Sequence, residues 1–129
     1  MKSLVATAFS MMLMSFAALA ARSAEVSFDQ AHFDAARAAG KPVAVVFHAD
    51  WCPTCRAQAP VLKELAQTPD LKSLTLYVAD FDMEKALKKA LKVTQQSTIV
   101  VFKNGKEIAR STGDTQKASL ADLLQRAVP

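Results

Sequence analysis

Hydrophobic and polar positions follow two periods along the chain, and the changes of period predict where strands and helices lie. Short β-branched or alternating apolar runs predict strands at 42–49 and 74–82. Apolar residues at helical spacing predict four helices. They lie at "FDQAHFDAARAAGK", 56–67, "MEKALKKALK" and 115–128. The first of them has Asp29 as its N-cap and ends at Gly40.

Residues 97–113, "STIVVFKNGKEIARSTG", show the pattern of a β-hairpin. Two strand-like runs meet at Asn104-Gly105, a favoured two-residue turn. The predicted order is helix, strand, helix, strand, helix, hairpin, helix. It favours one α/β domain, with a central mixed β-sheet flanked by helices on both faces and a C-terminal hairpin and helix. The length of 129 residues agrees with a single domain.

The N-terminus has the pattern of an export signal. Lys2 precedes an uncharged apolar stretch from Leu4 to Ala21 that contains the small-x-small sequence Ala18-Leu19-Ala20. We expect residues 1–20 to be a signal peptide and 21–129 the mature domain, with an uncleaved membrane anchor as the alternative. Either reading predicts a domain outside the cytoplasm, periplasmic in a bacterium.

The formal net charge of +4 is spread along the chain. Its one basic cluster, "KALKKALK" at 85–92, interleaves lysines with apolar residues at helical spacing. This is typical of the solvated face of an amphipathic helix, so we expect no nucleic-acid partner.

The only two cysteines stand in "WCPTC", residues 51–55, between a predicted strand and a predicted helix. A disulfide that closes so short a loop constrains the unfolded chain little, so a structural role is disfavoured. The first turn of a helix stabilises a thiolate, which predicts a lowered pKa for Cys52. Pro53 suits the first helical position. Cys55 lies on the same helix face, so the spacing predicts an exposed nucleophile, Cys52, and a more buried resolving thiol, Cys55.

Two segments carry a resemblance to a known family. "VVFHADWCPTCRAQAPVLKELA" resembles the active-site segment of the thioredoxin superfamily, and "TIVVFKNGKEIARSTG" resembles its hairpin. The resemblance covers about residues 25 to 128. It implies the thioredoxin fold and a thiol–disulfide oxidoreductase that uses Cys52 as nucleophile and Cys55 as resolver, without a cofactor. Protein thiols and disulfides would be the substrates, and a membrane thiol donor or oxidant would recycle the pair.

The resemblance also implies roles for the neighbours of the cysteines. Trp51 would be a packing and substrate-contact residue, and the dipeptide Pro53-Thr54 would tune the reduction potential. Arg56 occupies a position that is often basic in the family. It is expected either to favour the thiolate or to be a solvated surface charge.

The sequence departs from the family pattern at three places near the dithiol, and one of them is the dipeptide Pro53-Thr54, which is Gly-Pro in thioredoxin. The loop that normally carries a cis-proline reads Gln96-Ser97-Thr98, and a trans bond is expected between Gln96 and Ser97 because cis bonds before other residues are costly. This loop would contact substrate, and Ser97 is either a hydrogen-bond partner of a thiolate or an ordinary loop serine. Val46 occupies the position of a buried aspartate in cytoplasmic-type thioredoxins. His48 nearby is either a proton shuttle or a partly buried strand residue.

Three functions stay open at this point. The first is a thiol–disulfide oxidoreductase of the bacterial envelope. The second is a metal-binding or metal-delivery module that uses the two thiolates, although with His48 and the distant His32 the ligand set is poor and we expect no metal. The third is a non-catalytic interaction domain, which the intact motif disfavours. The redox direction is also open, and the lack of a large inserted helical domain favours a reductant or general exchange catalyst.

Overall fold

The computed structural model describes residues 24–129, so the predicted signal peptide at 1–20 lies outside the described residues. Five strands, four α-helices and one 3-10 turn follow one another in this part of the chain. They are β1 (Ala24–Ser27), α1 (Gln30–Ala38), β2 (Val43–His48), α2 (Pro53–Leu65), the 3-10 turn (Pro69–Leu71), β3 (Thr75–Asp80), α3 (Lys85–Leu91), β4 (Thr98–Lys103), β5 (Lys106–Thr112) and α4 (Lys117–Gln125).

The strands form one mixed sheet in the order β1-β3-β2-β4-β5. β3 pairs in parallel with β1 and β2, whereas β4 is antiparallel to both β2 and β5. The β4–β5 turn has positive φ at Asn104 (52°) and Gly105 (78°), as a two-residue type I′ turn requires. The predicted mixed sheet with its C-terminal hairpin is confirmed.

Helices cover both faces of the sheet, as predicted. On one face, α2 and α4 bury a layer of leucines against β2, β3 and β4. On the other face, α1 and α3 pack over an aromatic cluster in which Phe33 meets Tyr77 and Phe102 edge to face. Because both faces of β2 are covered, all of its residues from Val43 to Phe47 are buried. This double burial explains the unbroken apolar run in the sequence.

Two short elements differ from the predicted order. β1 was not predicted, and Ala24–Ser27 pairs with Thr75–Val78 at the edge of the sheet. Four residues are too few to show a period of two, so tertiary pairing rather than local pattern decides this strand. The 3-10 turn Pro69–Leu71 is not among the predicted elements, and it buries Leu71 in the leucine layer.

The predicted ends of α1 are confirmed. The carboxylate of Asp29 accepts a hydrogen bond from the backbone N–H of His32 at 2.8 Å, and Gly40 follows the helix with φ at 68°. Among residues 24–129, no helix is both long and apolar enough to cross a membrane.

Candidate active site

The two cysteines lie where β2 gives way to α2. Cys52 is the N-cap of α2, and Pro53 is its first residue, where the missing proline N–H costs nothing. The chain turns into the helix through a hydrogen bond from the Cys52 N–H to the carbonyl of Ala49 at 3.1 Å. This turn aims the free N–H groups of the first helical turn at the Cys52 sulfur, as the sequence pattern predicted.

Cys52 is held in an environment that favours its thiolate. Its Sγ accepts a hydrogen bond from the Cys55 backbone N–H at 3.2 Å and lies 3.5 Å from Ser97 Oγ. Burial opposes the charged form, but hydrogen bonds from the side chains of Cys55 and Ser97 and from the backbone N–H groups of Cys55 and Thr54 outweigh it. Together they lower the pKa of Cys52 to about 7.

Cys55, in contrast, is held in an environment that disfavours its thiolate. Its side chain is buried, its Sγ lies 2.9 Å from Ser97 Oγ, and its contact with the Phe47 carbonyl is long, at 4.0 Å. Burial, together with the hydrogen bond to Cys52 and the charge of that thiolate, raises the pKa of Cys55 even though the Ser97 hydroxyl counteracts part of the effect. The pair therefore consists of one acidic thiol and one that keeps its proton at neutral pH.

The expectation that Cys52 is exposed was wrong. Cys52 is 3% exposed and Cys55 is 1% exposed, so both residues are buried. Cys52 nevertheless lines a cleft of about 370 Å³. The cleft is lined by Cys52, Thr54, Gln95, Gln96, Ser97, Thr112 and Gly113.

Ser97 faces both sulfurs from the loop before β4. Its φ is 61°, in the left-handed region, and among residues 24–129 every peptide bond is trans, including the one before Ser97. Its N–H donates to the Phe47 carbonyl at 2.8 Å, and its carbonyl accepts from the Gly113 N–H at 3.0 Å. These bonds between neighbouring strands fix the backbone and thereby the position of the hydroxyl. The hydroxyl therefore lies within hydrogen-bond distance of both sulfurs, and its role in the reaction stays a prediction.

Gln58 is a site residue that the sequence reasoning missed. It is 1% exposed, and its Nε2 donates to the Ser97 carbonyl at 3.3 Å and to the Asp114 carbonyl at 2.8 Å. It therefore ties the active-site helix to the loop that carries Ser97. Its spacing of three residues from Cys55 was the available signal, because it places a polar side chain on the buried face of α2.

The other predicted contact residues lie in three different places. Thr54 and Gln96 line it, whereas the Thr98 hydroxyl donates to the Gln95 carbonyl and pairs with Thr112 Oγ1 at 2.9 Å. Thr98 therefore joins β4 to β5. Pro53 and Arg56 are exposed on the first turn of α2.

Trp51 stands on the surface beside Cys52 and is 58% exposed. Its Nε1 donates to Asp82 Oδ2 at 2.7 Å, which anchors the ring to the turn after β3. Asp82 was not predicted as a contact of this site, because Trp51 and Asp82 are 31 residues apart in the sequence. Asp80 stiffens the same turn by accepting from the N–H groups of Asp82 and Met83.

Val46 is buried, as expected of an apolar residue at this position, and lines a second cavity of about 120 Å³ with His48 and Gln58. His48 Nε2 lies 2.9 Å from Asp50 Oδ1. The ring is thus engaged with an exposed carboxylate, and its side chain is 23% exposed. This geometry is that of the partly buried strand residue.

Within the described part of the chain, His, Cys, Asp and Glu side chains do not gather in a group of three or more that is suited to a metal ion. His32 and His48 each have a carboxylate neighbour instead. Nothing here favours the metal-binding alternative.

Comparison with known proteins decides the family. The sequence model of the thioredoxin family matches residues 24–126. The chain belongs to the thioredoxin family. Thioredoxin from Mycobacterium bovis is 37% identical over 89 residues, which cover 69% of this chain and 76% of the relative. The thioredoxin of Chlamydia muridarum is 36% identical over 84 residues, with coverage of 65% and 80%.

Solved structures agree with this assignment. The crystal structure of Trxlp from Edwardsiella tarda EIB202 has a TM-score of 0.76 and 38% identity, and the match covers 78% of this chain and 98% of that one. The solution structure of oxidised thioredoxin from Plasmodium falciparum has a TM-score of 0.67 and 25% identity, with coverage of 81% and 97%. The protein is therefore a thioredoxin-like thiol–disulfide oxidoreductase with a redox-active Cys-x-x-Cys motif. The roles of the individual site residues stay predictions.

The pKa of Cys52 leads to a direct prediction. Only the thiolate is alkylated at an appreciable rate, so the reaction of reduced protein with iodoacetamide should rise with pH through a midpoint of about 7. Cys55, whose pKa is raised, should react only at much higher pH. Mass spectrometry of peptides after timed alkylation would assign each midpoint. A Cys52 midpoint close to 9 would contradict the hydrogen-bond network described above.

Proposed function

We propose that this protein is a disulfide reductant or general disulfide-exchange catalyst of the bacterial envelope, with Cys52 as nucleophile and Cys55 as resolving thiol. The observation that carries the proposal is the set of groups that hold Cys52. Helix N–H groups and the hydroxyl of Ser97 donate to its sulfur, and all of them are neutral. A strong oxidant owes its oxidising power to a strongly stabilised reduced form. Neutral donors give moderate stabilisation, which favours a reducing or intermediate potential.

The reaction runs in two exchange steps. In the first, the Cys52 thiolate attacks one sulfur of a substrate disulfide, so that a Cys52–substrate bond forms and the second substrate sulfur leaves as a thiolate. In the second, Cys55 loses its proton to water and attacks Cys52 Sγ, which releases the first substrate sulfur as a thiolate. Both released thiolates take protons from solvent. The substrate disulfide gains two electrons and the dithiol loses two.

The envelope location rests on the residues before the described domain. Lys2 followed by the apolar stretch Leu4 to Ala21, with Ala18-Leu19-Ala20 near its end, supports export. Outside the cytoplasm, the oxidised protein needs a source of electrons. We therefore propose a membrane thiol donor as the recycling partner.

The reduction potential tests the direction. The purified protein, equilibrated in glutathione or dithiothreitol redox buffers and then acid-trapped, should be half oxidised at about −270 mV, the value typical of thioredoxins. A midpoint of about −120 mV, typical of strong oxidants, would reverse the proposed direction. A pair that does not cycle at all would exclude the exchange mechanism.

The same acid trap, applied to cells, tests the location. After fractionation and alkylation, we expect the protein in the envelope fraction, with its cysteines mostly in the dithiol form. Recovery from the cytoplasmic fraction would contradict export, and a fully oxidised envelope pool would contradict a reductant that is kept reduced by a donor. A variant that lacks residues 2–20 is the matched control and should stay in the cytoplasm.

A further inference from the structure

We infer that Ser97 is a catalytic residue whose hydroxyl donates its hydrogen bond to the Cys52 thiolate in the free enzyme and to the Cys55 thiolate in the mixed disulfide. This inference rests on the proposed two-step exchange and adds a role that the second step requires. It assigns to one hydroxyl the stabilisation of each anion in turn.

The geometry carries the inference. Ser97 Oγ lies 3.5 Å from Cys52 Sγ and 2.9 Å from Cys55 Sγ, so it is within hydrogen-bond distance of both reacting atoms. A serine hydroxyl has one proton to donate and reorients by rotation about its C–O bond. It can therefore serve one sulfur at a time without any movement of the backbone.

The chemistry of the second step creates the need for this donor. Once Cys52 is bonded to substrate, its sulfur carries no charge and the hydroxyl is free to turn to Cys55. Cys55 must then become a thiolate although it is buried, and the side chain at the position of the family's aspartate is Val46, which cannot accept a proton. Donation from Ser97 lowers the free energy of the Cys55 anion, so that water suffices as proton acceptor.

The backbone of the loop supports this role. Ser97 adopts φ of 61°, a rare conformation for a residue other than glycine, and it is held there by the Phe47 carbonyl, the Gly113 N–H and the Gln58 amide. The backbone that carries the hydroxyl is thus held beside the dithiol by three hydrogen bonds.

Among residues 24–129, the titratable groups that contact Ser97 are the two thiols themselves. The neighbours of its backbone from β2, α2 and the segment after β5 are neutral carbonyl, amide and N–H groups. The carboxylate of Asp114, next to Gly113, is engaged by the Gln116 N–H and the Ser119 hydroxyl. A change in the pH profile on loss of the hydroxyl would therefore report on the thiols.

The two steps can be watched separately with 5,5′-dithiobis(2-nitrobenzoate). Attack by Cys52 releases a first nitrothiobenzoate and attack by Cys55 releases a second, so stopped-flow absorbance gives two phases. In Ser97→Ala, the pKa of Cys55 should be higher, so that less of Cys55 is thiolate at pH 7. A thiolate of higher pKa is also the better nucleophile. This gain in reactivity offsets about half of the loss in thiolate concentration on a logarithmic scale. We expect the second phase to slow by about three- to tenfold and its pH midpoint to rise by about one pH unit or more. The first phase should slow less, because the Cys52 contact is longer.

Ser97→Gly is the second variant, since glycine adopts positive φ without strain and also lacks the hydroxyl. Ser73→Ala, at an exposed serine before β3, is the control and should leave both phases unchanged. If Ser97→Ala and Ser97→Gly both keep a wild-type second phase, or slow both phases equally with no shift in either pH profile, the inference is overturned. A wild-type protein that releases only one equivalent would instead refute the two-step exchange itself, so the two failures are distinguishable.

Discussion

Cys52→Ser should abolish disulfide reduction, with a loss on the order of a thousandfold or more in the dithiothreitol-driven reduction of insulin. A serine hydroxyl in the same place stays protonated at neutral pH and is a poor nucleophile toward sulfur, whereas the Cys52 thiol, with its pKa of about 7, is about half ionised. Cys55 does not replace it, because its thiol does not line the cleft and its pKa is raised. The turnover rate of insulin precipitation measures this loss.

Cys55→Ser is the matched variant that separates the two roles. It should keep the first attack and then stop, leaving a stable mixed disulfide between Cys52 and the substrate that mass spectrometry detects. With 5,5′-dithiobis(2-nitrobenzoate) it should release one equivalent of nitrothiobenzoate where the wild type releases two. If instead Cys55→Ser lost the first phase and Cys52→Ser kept it, the assignment of nucleophile and resolver would have to be exchanged.

Phe33→Ala should lower the free energy of unfolding by about 3–5 kcal/mol, as expected for a buried aromatic residue in a packed core. Phe33 is 1% exposed and contacts the rings of Phe28, Tyr77 and Phe102, with centroid distances between 5.5 and 5.6 Å. The guanidinium of Arg37 also lies over its ring, at 5.3 Å from the centroid. Truncation removes these contacts together and leaves a cavity between α1 and the sheet. Chemical denaturation followed by circular dichroism measures the loss.

Ile108→Ala provides the comparison for this core substitution. Ile108 lies on β5 and is 43% exposed, so its truncation should cost no more than about 1 kcal/mol. A Phe33→Ala variant whose stability fell within this range would mean that α1 contributes little to the folded domain. The Cys52 alkylation midpoint should stay near its wild-type value in both variants, because neither residue contacts the dithiol.

The parts of the fold that the sequence predicted are those in which local pattern and burial agree. β2 is apolar along its whole length because helices cover both of its faces, and the Asn104-Gly105 turn has the backbone that these residues favour. β1 could not be predicted, because its four residues gain their conformation only from pairing with β3. Local propensity carries no information about such a partner.

At the site, the spacing and the flanking elements predicted the dithiol, and the family resemblance pointed to Ser97. The spacing did not predict that Cys52 is buried, because the loop that covers it carries Ser97, which is 45 residues away in the sequence. The contacts of Gln58 with Asp114 and of Trp51 with Asp82 were not predicted for the same reason. Each joins segments more than 30 residues apart, and only the assembled sheet brings them together.

The neutral character of the donors around Cys52 has a consequence for its behaviour in salt. Dissolved ions screen attraction between separate charges, but they have little effect on short hydrogen bonds from buried dipoles. A thiolate stabilised by an exposed lysine or arginine would lose reactivity as ionic strength rises, whereas this one should keep it. Such a site should therefore react at a similar rate in dilute and in saline media.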